Sequence, residues 1–308
     1  MPIDIKDIIC EPFGKCVLIS NSVIEVCVTV DKGPRIIHFG FINEKNVLFS
    51  KNTIDINSNL KFNASMSSAK NLDKYSGHNL LLKDYPTKKN VPIIDNQPVI
   101  YSILPKGIRF IPPYKDLQTS IEIILSENTN NLMVLHSVKN LSHDKRNLVI
   151  CASTSFPKKN GILIVPQNEK NLNISPNRII SLWPYSKIND SQLTFFDKYI
   201  TFTSSQKNKN PFRLGTNNHL GWVTFARNKT AIFKRFVHNS KAKYLNGESS
   251  LEFFANENIL TVETLSPIFK INKNEVARHV ENWSIFKTDI HEQLKSEEQI
   301  DNFLDSIG

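Results

Sequence analysis

Short runs of Val, Ile, Phe and Thr recur along almost the whole chain, each closed by Asn, Gly, Pro, Ser or Lys. Runs of β-favouring residues between turn formers read as strands. The clearest pair is 16–19 and 23–30, split by Ser20-Asn21-Ser22, where alternate residues can face a core. Further strands are predicted at 36–39, 98–104, 108–111, 119–125, 132–138, 148–154, 162–165, 178–182, 199–203, 221–226, 231–237, 251–255 and 259–265. Roughly fourteen strands with no helix between them predict an all-β fold, a large twisted antiparallel β-sandwich. The Asn-, Ser- and Lys-rich stretch 49–72 reads as a loop. One helix is predicted, over 289–307, where Ile290, Leu294, Ile300, Phe303, Leu304 and Ile307 recur at near-helical spacing. A chain of 308 residues with 40% hydrophobic content can bury one large core, so one domain over 1–308 is expected, with its core at 15–287.

Charge and motifs narrow the functions. The net charge is +9, but the lysines come in scattered pairs such as Lys88-Lys89 and Lys158-Lys159 rather than the concentrated stripe that nucleic acid requires. No apolar stretch reaches the roughly 18 residues that span a bilayer, and the N-terminus lacks the basic start and apolar run of a secretory signal. No membrane association and a cytoplasmic location are therefore expected. Phosphate-cradling motifs and the nucleophile elbow are absent. Cys10, Cys16, Cys27 and Cys151 form no C-x-x-C pair and read as reduced core thiols, with no metal or cofactor expected.

Chemistry then rests on polar residues set in apolar strands, where each needs a partner or a ligand. Arg35, in Gly33-Pro34-Arg35-Ile36-Ile37, offers five donors to sugar hydroxyls or a carboxylate, or pairs with a buried acid. His78, in Tyr75-Ser76-Gly77-His78-Asn79, is a candidate general acid or a surface residue. Glu263, in Val262-Glu263-Thr264-Leu265, is a candidate base if it faces a groove, or a carboxylate bonded to an arginine such as Arg35. Trp183 and Trp222 can stack on sugar faces or fill the core, and Trp283 reads as core. His136 and His279 read first as satisfied core histidines, and with Arg178 they remain candidate substrate contacts.

Taken in order, several segments resemble a bacterial branch of the galactose mutarotase-like (aldose 1-epimerase-like) superfamily. They include Gly33-Pro34-Arg35-Ile36-Ile37, Gly77-His78, Asn177-Arg178 with Leu182-Trp183-Pro184-Tyr185, Phe212-Arg213-Leu214-Gly215, Gly221-Trp222, Val262-Glu263-Thr264-Leu265-Ser266-Pro267 and His279-Val280-Glu281-Asn282-Trp283. The resemblance implies a supersandwich whose concave sheet holds a free sugar. It further implies that Glu263 takes the anomeric proton, His78 protonates the ring oxygen and Arg35 positions hydroxyls, without a cofactor. The chain departs from the family in two places. The strand 148–154 carries hydroxyls where mutarotases usually hold a second histidine, and Ser76-Gly77-His78-Asn79 replaces Gly-Gly-His-Arg. Both departures weaken catalysis more than binding, so a non-catalytic carbohydrate-binding protein on the same fold is the alternative to an active epimerase. In either case Arg35, His78 and Glu263 are expected to meet on one side of a curved sheet.

Overall fold

The structure is a computed structural model that describes residues 3–50, 76–91, 93, 95–169, 175–204, 208–288 and 294–307. In chain order its strands are β1 (Asp4–Cys10), β2 (Gly14–Ser20), β3 (Ile24–Thr29), β4 (Ile36–Phe41), β5 (His78–Asp84), β6 (Asn90–Val91), β7 (Ile100–Leu104), β8 (Gly107–Ile111), β9 (Leu117–Leu125), β10 (Asn131–Asn140) and β11 (Arg146–Pro157). They continue as β12 (Gly161–Pro166), β13 (Ile180–Leu182), β14 (Leu193–Phe195), β15 (Tyr199–Thr203), β16 (Phe212–Thr216), β17 (Trp222–Arg227), β18 (Thr230–Phe236), β19 (Leu251–Ala255), β20 (Ile259–Leu265), β21 (Phe269–Ile271) and β22 (Val276–Lys287).

Two antiparallel sheets hold all of them. The first runs β1-β2-β3-β4-β5-β11-β20-β19-β16-β13, with β6 on β5 and β21 on β11; the second runs β14-β15-β12-β17-β18-β22-β10-β9-β8-β7. Between them lies one continuous core that includes Val26, Ile36, Phe39, Ile123, Val134, Phe156, Phe202, Phe253, Val262 and Trp283. The predicted opening hairpin is β2 paired with β3. Asn21 closes its turn by accepting from the Val23 and Ile24 amides while donating to the Ser126 and Thr129 carbonyls of the other sheet.

The C-terminal helix is Glu297–Ile307. Ile300, Phe303 and Ile307 bury its apolar stripe against Ile162, Ile164, Ala226 and Ala231, on the outer face of the second sheet. The first five residues of the predicted helix, Ile290 among them, and residues 51–72 of the predicted loop lie outside the described residues.

Strands β1, β5, β16 and β22 were not expected, nor were the short β6, β14 and β21. β5 is central, lying between β4 and β11, and it begins at His78 rather than leaving that residue in a turn. Gly77 makes this possible: its φ is +70°, and a Cβ there would stand 1.9 Å from the Ile36 carbonyl oxygen, so only glycine lets the chain enter the sheet so close to β4.

Candidate functional site

Strand register decides which side chains share a surface. Ser153 of β11 stands opposite both Asn79 of β5 and Glu263 of β20, and Glu263 stands opposite Glu252 of β19. These residues form one row on the outer face of the first sheet. The next row, His78, Thr154, Val262 and Phe253, faces the other sheet. His78 and Glu263 therefore lie on opposite surfaces, and the expectation that they act together on one ligand is corrected. Arg35 lies just before β4, whose first residue, Ile36, is the core residue opposite His78. Its guanidinium donates to the Ser76 carbonyl at 3.4 Å and lies 3.9 Å from Asp95.

Around Glu263 the outer row becomes a charge cluster. Arg213 Nη2 bonds the Glu263 carboxylate and also donates to Glu252 Oε2 at 2.5 Å, with Nε 3.2 Å from the same oxygen. Lys83 Nζ lies 3.7 Å from Glu252 and 3.8 Å from Glu263, and Asn246 Nδ2 donates to Glu252 Oε1 at 2.8 Å. Glu263 is thus the arginine-paired carboxylate that the sequence allowed for, with Arg213 and not Arg35 as its partner. The Arg213 guanidinium in turn lies 4.8 Å from the centroid of the Trp183 ring. Gly215 leaves the room that this needs, since a Cβ there would stand 2.5 Å from Ser249 Oγ and 3.3 Å from Glu252 Cγ.

Lys83, Arg213 and Glu252 favour one another's charged forms. Burial would lower the pKa of Lys83, but the neighbouring Glu263 and Glu252 carboxylates outweigh it, and the pKa is raised. Burial likewise opposes the charge on Arg213, and the two carboxylates raise its pKa further. For Glu252, burial pushes upward while Lys83 and Arg213 pull the value below the ordinary carboxylate range. Beyond Asn246, the left-handed turn Leu245–Glu248 borders a cavity of about 280 Å³ lined in part by His219, His238, Tyr244 and Glu248.

The inward row belongs to a different assembly, sealed between the sheets. Lys234 Nζ of β18 donates to Thr154 Oγ1 at 2.6 Å and pairs with Glu281 at 2.8 Å. His78 Nδ1 is 2.8 Å from Thr154 Oγ1, and its Nε2 is 2.8 Å from His136 Nε2. His136 Nδ1 reaches the His279 carbonyl at 3.2 Å. Donor counting fixes every proton. The His279 carbonyl can only accept, so His136 Nδ1–H donates to it and the neutral His136 accepts at Nε2 from His78 Nε2–H; His78 Nδ1 then accepts from Thr154, which accepts in turn from Lys234. Thr264 donates to Glu281 at 2.6 Å, so it accepts from His279 Nε2–H at 2.7 Å. Trp283 Nε1 donates to the other Glu281 oxygen at 2.9 Å.

All three imidazoles are neutral in this chain. Burial, ahead of nearby charges, holds His136 and His279 down at about 4 and His78 well below its usual value. Burial would raise the pKa of Glu281, but the Lys234 ammonium beside it draws it well below the carboxylate range. His78, His136 and Glu281 stand close enough to ligate a metal, yet the two imidazoles bond each other, Thr154 and a carbonyl, and the carboxylate is taken by Lys234, Thr264 and Trp283.

The remaining expected contacts separate. Trp183 lies at the charge cluster. Trp222 is corrected: it packs on the outer face of the second sheet, stacked on Phe233 at 5.0 Å and beside Tyr199, in the cluster that takes the C-terminal helix. Arg178 donates to the Asn168 carbonyl at 2.9 Å within a loop network of asparagines. His136 and His279 belong to the sealed interior rather than to a groove, and Trp283 is core as expected.

Arg213, Glu252 and Lys83 at the outer site, and Lys234 and Glu281 inside, were missed. Arg213 and Glu252 are lone charges within apolar strands, in Phe212-Arg213-Leu214 and Leu251-Glu252-Phe253, and that pattern is the signal that would have found them; Lys83 and Lys234 each stand beside a second charge, Asp84 and Arg235, which hides it.

No family model matches the sequence, and no curated protein matches it. Solved structures do. A galactose mutarotase-like protein from Clostridium acetobutylicum superposes with a TM-score of 0.59 at 12% identity, covering 93% of this chain and 99% of that one. Another from Lactobacillus casei gives 0.57 at 10% identity, covering 88% and 100%. A galactose mutarotase related enzyme from Lactobacillus acidophilus gives 0.53 at 10% identity, covering 91% and 100%. Two antiparallel sheets of this extent and these likenesses show that the chain has the galactose mutarotase-like fold.

Proposed function

We propose that this protein binds a sugar on the outer face of the first sheet, where Trp183, Arg213, Glu252, Glu263 and Lys83 meet. The observation that carries the reading is the double engagement of Arg213, which lies against an indole while bridging two carboxylates. An aromatic face beside fixed donors and acceptors suits a ring with apolar C–H faces and polar edges. Ser153 adds a hydroxyl to the same row. The fold and the order of the matching segments support a carbohydrate as the ligand.

Binding without catalysis is the reading we favour. The Glu263 carboxylate is already taken up by Arg213, with Lys83 3.8 Å away, and His78 sits on the far side of the sheet. Epimerase activity with Glu263 as base is the second reading. It needs an acid other than His78, and His219 and His238, which line the cavity beside the Asn246 turn, are the histidines available to it. Saturation-transfer NMR with a panel of free hexoses tests binding, and polarimetry on the same samples tests anomer exchange. Saturation of sugar protons that vanishes in Arg213→Ala, with no acceleration of mutarotation, is expected. Acceleration that is lost in Glu263→Gln would establish the epimerase instead, and a panel with no saturation transfer would overturn both.

A further inference from the structure

Three of the four cysteines meet at the other end of the first sheet. Cys10 ends β1, Cys16 lies in β2 and Cys27 in β3; all three are buried, and their sulfurs lie within 4.8 Å of one another. They share one face because Cys16 stands opposite Ile8, two residues from Cys10, while Cys27 stands opposite Leu18, two residues from Cys16. Strand pairing, not a short motif, makes this cluster.

The geometry suits a thiophilic ion. Cys10 Sγ and Cys27 Sγ are 3.9 Å apart. That is far beyond a disulfide bond, whereas a tetrahedral ion with Zn–S bonds of about 2.3 Å sets its sulfurs about 3.8 Å apart.

A second observation points to the same place. His38 is the cross-strand partner of Cys27 and therefore lies on the face that carries the thiols. It is buried, and neither ring nitrogen makes a hydrogen bond. Its Nε2 lies 3.2 Å from Oε1 of Glu25, itself buried and lacking a hydrogen bond at that oxygen. A carboxylate behind one imidazole nitrogen, with the other left over, is the arrangement that orients histidine ligands on metals.

We propose that Cys10, Cys16 and Cys27 bind a zinc ion as thiolates, and that His38, whose nitrogens lie outside that 4.8 Å group, turns toward the ion to complete the set, with Glu25 orienting the imidazole. Three sulfurs and one nitrogen close the coordination shell, so the site is structural and clamps β1, β2 and β3 together. Each thiol that becomes a ligand releases its proton to solvent, and the oxidation state of sulfur does not change.

The test uses the full chain, reduced and freed of metal with a chelator. Titration with Co(II) reads thiolate-to-cobalt charge transfer in the near ultraviolet, and competition against a chromophoric chelator reads Zn(II) affinity. One equivalent is expected, with affinity falling about a hundredfold in each of Cys10→Ser, Cys16→Ser and Cys27→Ser, and about tenfold in Glu25→Gln. Cys151→Ser should retain the full equivalent. Because serine variants can unfold, alkylation of the wild-type protein with and without Zn(II) provides a second reading by peptide mass. Protection of the peptides carrying Cys10, Cys16 and Cys27 supports the site. Absence of a charge-transfer band together with unprotected thiols overturns it, as does a band that persists in all three folded variants.

Discussion

His78 and Glu263 belong to adjacent rows of one sheet and face opposite ways. His78 stands opposite Thr154 and Glu263 opposite Ser153, a difference of a single residue along β11. Substitutions at the two positions must therefore have different consequences. His78→Ala should cost roughly 2–4 kcal/mol of stability, because it leaves His136 and Thr154 without partners in a sealed interior. Sugar affinity of the folded fraction should be unchanged. Glu263→Gln should weaken binding while leaving the interior intact. Urea unfolding followed by ligand titration of both variants checks the pair.

Acid should loosen the fold well before the carboxylates titrate. His136 and His279 are held at about 4, against an ordinary 6.5, so the unfolded chain takes up protons that the folded chain refuses. Stability is fully present above about pH 6.5, falls as pH drops, and this contribution is spent by about pH 4. Between pH 7.5 and 5 each imidazole should remove about 2 kcal/mol. The urea midpoint followed across that range gives the answer, and His136→Gln should flatten the slope.

The Lys234–Glu281 pair is fully buried, and its halves are not equivalent to its absence. Lys234→Met leaves a carboxylate uncompensated and should cost about 3–5 kcal/mol. Adding Glu281→Gln to it should restore at least about 2 kcal/mol of that loss, since the buried charge is removed. A double-mutant cycle by denaturant unfolding measures the recovery.

Arg213→Lys keeps the charge but loses the planar fork that spans Glu252, Glu263 and Trp183. Sugar affinity should drop by about tenfold or more, since a point charge replaces several directed donors. Isothermal titration of the lysine variant beside the native protein decides this.

Of the tryptophans, only Trp183 should report ligand. Trp183→Phe should remove any sugar-dependent change in emission, whereas Trp222→Phe should keep it, because Trp222 lies under the C-terminal helix on the other sheet. Phe303→Ala, by contrast, should cost about 3 kcal/mol and shift Trp222 emission to the red.

Strands whose hydrophobic residues face a core were legible in the sequence, and so was the terminal helix with its stripe. β22 was not. Its inward positions include His279, Glu281 and Trp283, polar groups made tolerable by partners on other strands, so the alternation that marks a strand is absent from its own residues. The outer site failed for a related reason. Glu263 was visible as an acid in an apolar run, but its partner Arg213 lies 50 residues away, and only the order β20-β19-β16 brings them together. For His78 the difficulty was parity. A polar residue does not declare its face, and a shift of one position moves it from groove to core.

β11 and β20 each carry an interior residue and an outer-row residue side by side: Thr154 next to Ser153, and Thr264 next to Glu263. About 3.3 Å of backbone separates such neighbours, and there is no further layer to absorb a movement. The buried proton-ordered chain thus serves as the jig in which the surface cluster is aligned, and altering how either threonine seats would detune the outer face without touching any group on it.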